Sequence, residues 1–268
     1  MKQLLFICFL TFYTFLCKGQ QELNYSLINL DSIFQENQGT FVLFDCQKND
    51  YRIYNYERSK NDFAVHSTCK IFWSIVGLEE NIISDENRIV KWDSIKYPQK
   101  DWWKNSWAKD QSIVTALNNS VNWYYFELLS SIAPEITEKY LIQLNYKPDY
   151  KVERVHYFGF SNTVRKSALE QIDFIKGIYQ NDYKISDKTI ETIKQGLLWE
   201  QCDEYTLYGK TGLGPIDNDK QIGWYIGMIE KGENKFIFAL NIENESQDIA
   251  SKLSIDYSLK ILKTLGLI

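Results

Sequence analysis

Histidine is nearly missing from this chain, with two among 268 residues, His66 and His156. Neither stands in a carboxylate pattern, and no His, Cys, Asp and Glu set has metal-ligand spacing, so histidine-based and metal-based catalysis are not expected. Both read as packing or surface residues. Proline is as scarce, with four in the chain. No proline- or glycine-rich linker, repeat or low-complexity stretch divides it. Basic charge is not in excess: the formal net charge is -5. That leaves no footprint for nucleic acid and reads as ordinary solubility. Beyond the N-terminal segment no apolar run is long enough to cross a bilayer.

What is present is apolar and aromatic. The hydrophobic fraction of 44% is ample for the core of one large domain, and Trp102, Trp103 and Trp107 crowd one stretch. The first residues read as an export signal spanning 1–19. Lys2 supplies the positive start, Leu4 to Leu16 the short apolar run, and Cys17-Lys18-Gly19 a small-x-small cleavage site. A mature periplasmic protein is then expected to begin at Gln20, with a lipid anchor on Cys17 as the rival reading. Of the cysteines, Cys46, Cys69 and Cys202 remain, an odd number that leaves at least one thiol outside any intrachain pair.

Patterning predicts an α+β fold for 20–268. Short β-rich runs, Phe41 to Cys46 and Tyr51 to Tyr56, form an early hairpin, and Tyr205 to Tyr208, Ile222 to Ile229 and Lys235 to Ile242 bring strands back near the end. Between them, over about 67–200, the periodicity is helical: Lys70 to Leu78, Ile113 to Ile132, Thr137 to Leu144, Ala168 to Tyr179 and Asp187 to Leu198. Ser167 with Glu170 makes a capping box for the fourth of these. A final amphipathic helix runs from Ile249 to Leu265. The expectation is an antiparallel sheet assembled from both chain ends, flanked by helices, with a helical subdomain inserted.

Three short segments carry chemistry. Ser67-Thr68-Cys69-Lys70 puts a hydroxyl and an amine three residues apart, on one face of a helix. A serine hydroxyl becomes a nucleophile when a neighbouring base takes its proton, and lysine can be that base if burial keeps its amine neutral. The apolar flank Ile71, Phe72, Trp73, Ile75 and Val76 offers such burial. Ser106-Trp107-Ala108-Lys109 repeats the spacing, so the pattern alone marks a solvated helix face as readily as a site. Lys210-Thr211-Gly212 follows a strand, where the lysine and threonine could hold a carboxylate and Gly212 could admit a substrate backbone. Ser120-Val121-Asn122 reads alone as a helix cap. In this order the three form the serine-lysine, serine-asparagine, lysine-threonine-glycine set of serine β-lactamases and penicillin-binding proteins.

From about Phe41 onward the chain resembles the class D, OXA-type serine β-lactamases of the penicillin-recognising superfamily. Phe63 to Ile71, Lys91-Trp92-Asp93, Glu170 to Phe174, Tyr208 to Gly212 and Gly223 to Gly227 carry the likeness. It implies a hydrolase of β-lactam antibiotics with Ser67 as acylated nucleophile and Lys70 as general base, N-carboxylated by carbon dioxide. Ser120 and Lys210 would pass the proton to the leaving nitrogen. The N–H groups of Ser67 and Leu213 would form the oxyanion hole, and Thr211, Gly212 and Lys252 would bind substrate. No other cofactor is implied.

Departures open two alternatives. Val65 replaces a proline, Cys69 replaces a large apolar residue, Lys147-Pro148 interrupts an expected tyrosine-glycine-asparagine segment, and Asn122 resembles penicillin-binding proteins and related sensors. The tryptophan that shelters the carboxylated lysine aligns with Gly159, between Phe158 and Phe160. A penicillin-binding module that acylates and deacylates slowly is therefore the second expectation, and a D,D-peptidase the third.

Overall fold

The computed structural model of the chain describes residues 23–147, 161–216 and 219–268. Its centre is a seven-stranded sheet in the order β1-β3-β2-β9-β8-β7-β6. The N-terminal strands are β1 (Tyr25–Leu27), β2 (Gly39–Asp45) and β3 (Asp50–Tyr54). The C-terminal strands are β6 (Leu198–Gln201), β7 (Thr206–Pro215), β8 (Gln221–Lys231) and β9 (Asn234–Asn244). The two halves join where β2 runs antiparallel to β9, with Phe41 opposite Leu240 and Val42 opposite Ala239. The sheet is thus built from both ends of the chain, as the order of strand-like and helical segments predicted. Among the described strands only β1 pairs parallel, against β3.

Alternation along the strands sorts side chains into two cores. Phe41, Leu43, Phe238, Leu240 and Ile242 pack with Phe34 of α1 (Asp31–Phe34) and with Ile261 and Leu262 of the C-terminal helix α9 (Gln247–Thr264). Val42, Phe44, Trp224, Ile226, Ile237 and Ala239 face the other way, into the helical side. Buried side chains of this size each contribute about 1.5–3 kcal/mol, so the double-sided burial fixes the register.

On that second side lie α3 (Lys70–Glu79), α4 (Ile113–Asn119), α5 (Asn122–Ser130), α6 (Pro134–Gln143), α7 (Ala168–Tyr179) and α8 (Asp187–Leu197). A short helix, α2 (Tyr56–Ser59), precedes them. The capping box of α7 is formed: Ser167 Oγ accepts from the Glu170 N–H at 3.1 Å, and the Ser167 N–H donates to Glu170 Oε2 at 2.7 Å. Every residue of α3 from Lys70 to Leu78 is buried. A helix covered all round lies inside the domain, and its first residue is therefore withdrawn from water.

One sequence expectation fails instructively. Ile113 to Ile132 reads as one helix but is two, because Ser120 turns into the left-handed region with φ 59 and ψ 40. The turn is closed by the Val121 N–H donating to Ala116 O at 2.9 Å. Apolar residues continue across the break, so periodicity did not reveal it. Also unforeseen were β1, β6 and the two-stranded pair β4 (Phe63–Ala64) with β5 (Arg165–Lys166).

Candidate active site

β4 leads directly into the nucleophile turn, a 3-10 turn over His66–Cys69. The turn is tied down on several sides. The Val65 N–H donates to Val164 O at 3.0 Å, Thr68 Oγ1 donates to Val65 O at 2.7 Å, and Gln171 Nε2 on α7 donates to Thr68 Oγ1 at 3.0 Å. His66 holds φ 45, an uncommon conformation for a side-chain-bearing residue, immediately before Ser67. β7 packs closely behind. A Cβ on Gly212 would lie 3.0 Å from both Val65 O and the Thr68 methyl, so this glycine admits the nucleophile turn. This packing is a role for Gly212 beside the substrate approach expected from the sequence.

Lys70 begins α3 and is fully buried. Its Nζ lies 2.8 Å from Ser67 Oγ and donates to Asn122 Oδ1, also at 2.8 Å. Burial, and next the positive charge of Lys210, push the Lys70 amine well below the ordinary lysine range. A neutral amine with one N–H committed to Asn122 keeps a lone pair for the serine hydroxyl. The Tyr125 ring, 5.4 Å from Nζ, closes the site from α5.

The remaining residues converge on a cleft of about 600 Å³ lined by Ser67, Ser120, Asn122, Thr211 and Leu213, among others. Ser120 reaches it because the left-handed turn ends α4 there. On β7 the alternate residues Thr211 and Leu213 line the cleft while Lys210 is buried. Lys210 Nζ donates to Thr211 O at 3.0 Å. Its amine is lowered to about 7, by burial first and then by the charge of Lys104. The far wall is the start of α9, brought against the sheet by Gly223, where a Cβ would sit 2.1 Å from Ala250 O.

This clustering of three distant segments has a counterpart in known proteins. The penicillin binding protein transpeptidase domain matches residues 35–264. The chain belongs to that family. Within it, the chain is 30% identical to the β-lactamase OXA-48 of Klebsiella pneumoniae over 80% of this chain and 78% of that one. It is also 30% identical to the regulatory protein BlaR1 of Staphylococcus aureus, over 99% of this chain but 46% of that protein, so it spans under half of that relative's length. The crystal structure of a class D β-lactamase from Sebaldella termitidis superposes with a TM-score of 0.83 at 31% identity, covering 92% of this chain and 99% of that one. The class D β-lactamase-like resemblance and the α+β sheet read from the sequence are both borne out.

Against this family background the other sequence candidates separate. Lys252 lines the cleft from α9, but its side chain is 79% exposed and lies 3.6 Å from Asp256. The rival pair Ser106 and Lys109 is not on one helical face. Ser106 sits in a 3-10 turn, Asn105–Trp107, and Lys109 is exposed beyond it. His66 is buried, with Nδ1 3.2 Å from Asn162 Oδ1 and its titration lowered to about 4 by burial. Its placement fits a packing residue. Among the described residues no His, Cys, Asp and Glu group could hold a metal ion, and no helix is long and apolar enough to cross a membrane. The export segment, Cys17, Pro148, His156, Phe158, Gly159 and Phe160 lie outside the described residues. Sequence reading missed Lys104 and the cleft-facing position of Trp102. The tryptophan cluster was the visible signal, but nothing in a loop sequence says which way it faces.

Proposed function

We propose that the chain is a class D-type serine β-lactamase that forms an acyl-enzyme on Ser67. The observation that carries this reading is the buried Lys70 amine 2.8 Å from Ser67 Oγ. Ser67 Oγ attacks the lactam carbonyl carbon as its proton passes to the Lys70 amine. The N–H groups of Ser67 and Leu213 hold the oxyanion, a contribution worth roughly a hundred- to thousand-fold per donor. The lactam C–N bond then breaks as Ser120 gives its proton to the departing nitrogen. The proton that Lys70 took from Ser67 passes by way of Lys210 to restore the Ser120 hydroxyl, which leaves the Lys70 amine neutral again. Thr211 and Lys252 take the substrate carboxylate. Water attacks the ester, gives up a proton to the base at Lys70, and Ser67 leaves with its proton restored.

A carboxyl group on Lys70 derived from carbon dioxide would supply a carboxylate base at the same point. The residues fit it in one respect: a buried neutral amine is the form that reacts with carbon dioxide. Asn122 acts against it, because its amide oxygen already holds that amine. This contact favours the second reading, a sensor-like module that acylates and then holds the adduct. An exported, periplasmic protein agrees with either reading, since β-lactams act on cell-wall enzymes outside the cytoplasm.

Intact-mass measurement with a penicillin, run beside hydrolysis of a chromogenic cephalosporin, tests both. A Ser67 adduct with turnover that rises on adding bicarbonate supports the hydrolase. A long-lived adduct without turnover supports the sensor-like module. Neither adduct nor turnover refutes both.

A further inference from the structure

The cleft carries two lysines on different walls, and they are not equivalent. Lys252, on α9, shares its wall with Asp248 and stands near Asp256, so that wall is mixed in sign. Lys104 comes from the tryptophan loop, is exposed, and has no carboxylate within ion-pair distance among the described residues. The charge it places on buried Lys210 is a further sign that it faces the reacting end of the cleft. Beside it Trp102 also lines the cleft and is 62% exposed, its ring 5.6 Å from Trp107. Trp107 fixes this loop next to Ser120, since its Nε1 donates to Asn119 O at 2.8 Å and its own carbonyl accepts from Trp123 Nε1 at 2.7 Å. The loop therefore presents a flat indole and an unneutralised cation from an anchored base.

A penicillin has one carboxylate on its bicyclic nucleus and an acylamino side chain on the opposite side of the lactam ring. With Thr211 and Lys252 taking the nuclear carboxylate, the cation at Lys104 is left over. We propose that Trp102 and Lys104 form a side-chain subsite selecting β-lactams whose acyl group is aromatic and bears a second acidic group. The indole stacks on the aryl ring, and the ammonium pairs with the acid. The inference rests on the β-lactam reading of the Ser67 site.

The test compares acylation rates of the full chain by benzylpenicillin and by its α-carboxy derivative, which differ by one carboxylate. The ratio is the readout, because any effect of Lys104 on Lys210 is common to both compounds. Lys104→Ala should lower the rate for the α-carboxy compound relative to benzylpenicillin about fivefold, as expected for an exposed charge pair. Lys104→Glu should lower the ratio further. Trp102→Ala should slow both compounds alike and leave the ratio in place. If both compounds acylate Ser67 and neither Lys104 variant changes the ratio, the subsite is refuted while the β-lactam reading stands. If neither compound acylates the native chain, both fall together.

Discussion

Asn122 Oδ1 accepts a hydrogen bond from the Lys70 amine at 2.8 Å, matching the distance from that amine to Ser67 Oγ. One nitrogen therefore serves two partners with opposed consequences. Towards Ser67 it is poised to take a proton, and towards Asn122 it is held in place. Asn122→Val removes the acceptor while keeping an apolar wall. A hydrogen bond between a neutral amine and an amide oxygen is worth about 0.5–1.5 kcal/mol, so release of the amine should speed deacylation about two- to tenfold. The lifetime of the Ser67 adduct by intact mass, with bicarbonate present, measures it. An unchanged lifetime would mean that Asn122 does not restrain Lys70.

The left-handed turn at Ser120 permits a clean removal of its hydroxyl. At φ 59 alanine would add strain, whereas glycine adopts this conformation readily. Ser120→Gly should therefore keep the fold and slow acylation by about a hundredfold, within the usual range for a positioned proton-transfer group. Stopped-flow acylation alongside a thermal melt separates the two effects. A slow variant with a collapsed melting temperature would point to a structural role instead.

Much of this was legible in the sequence, and the limits are physical. The sheet showed through β-rich apolar runs at Phe41 to Phe44 and at Ile237 to Leu240, which are unbroken because each strand buries both faces in different cores. Ser67 and Lys70 were legible because their spacing matches a helical turn and their flank is apolar. The break at Ser120 was not, because a single backbone torsion redirects the chain without disturbing the apolar pattern. The packing role of Gly212 was equally hidden, since Val65 and Thr68 come to it from far along the chain.

His66 supplies a pH prediction. Burial lowers its titration from 6.5 to about 4, so the native protein keeps it neutral where the unfolded chain would bind a proton. The unfolded state thus gains protons first as pH falls, and stability is lost between about 6.5 and about 4. His66→Asn, which tolerates the positive φ, should flatten this fall by at most about 3 kcal/mol. Denaturant unfolding across that pH range reads it directly. A native-like slope in the variant would assign the acid sensitivity to other groups.

Gly223 holds the α9 wall of the cleft against the sheet. A methyl group there would collide with Ala250 O, and overpacking of this kind costs about 1–3 kcal/mol. Gly223→Ala should lower the melting temperature and also weaken β-lactam acylation, as the helix bearing Lys252 is pushed outward. A destabilised variant with native acylation kinetics would show that the α9 wall contributes little to binding.

The central claim is that Ser67, activated by the buried amine of Lys70, takes up a β-lactam through an ester bond. Time-resolved intact-mass spectrometry of the native chain, Ser67→Ala and Lys70→Ala with benzylpenicillin tests it most directly. The expected result is a mass increase of one whole penicillin on the native chain, none on Ser67→Ala, and strongly slowed uptake on Lys70→Ala. An adduct that forms equally on Ser67→Ala, or neither adduct nor penicillin turnover on the native chain, would contradict it.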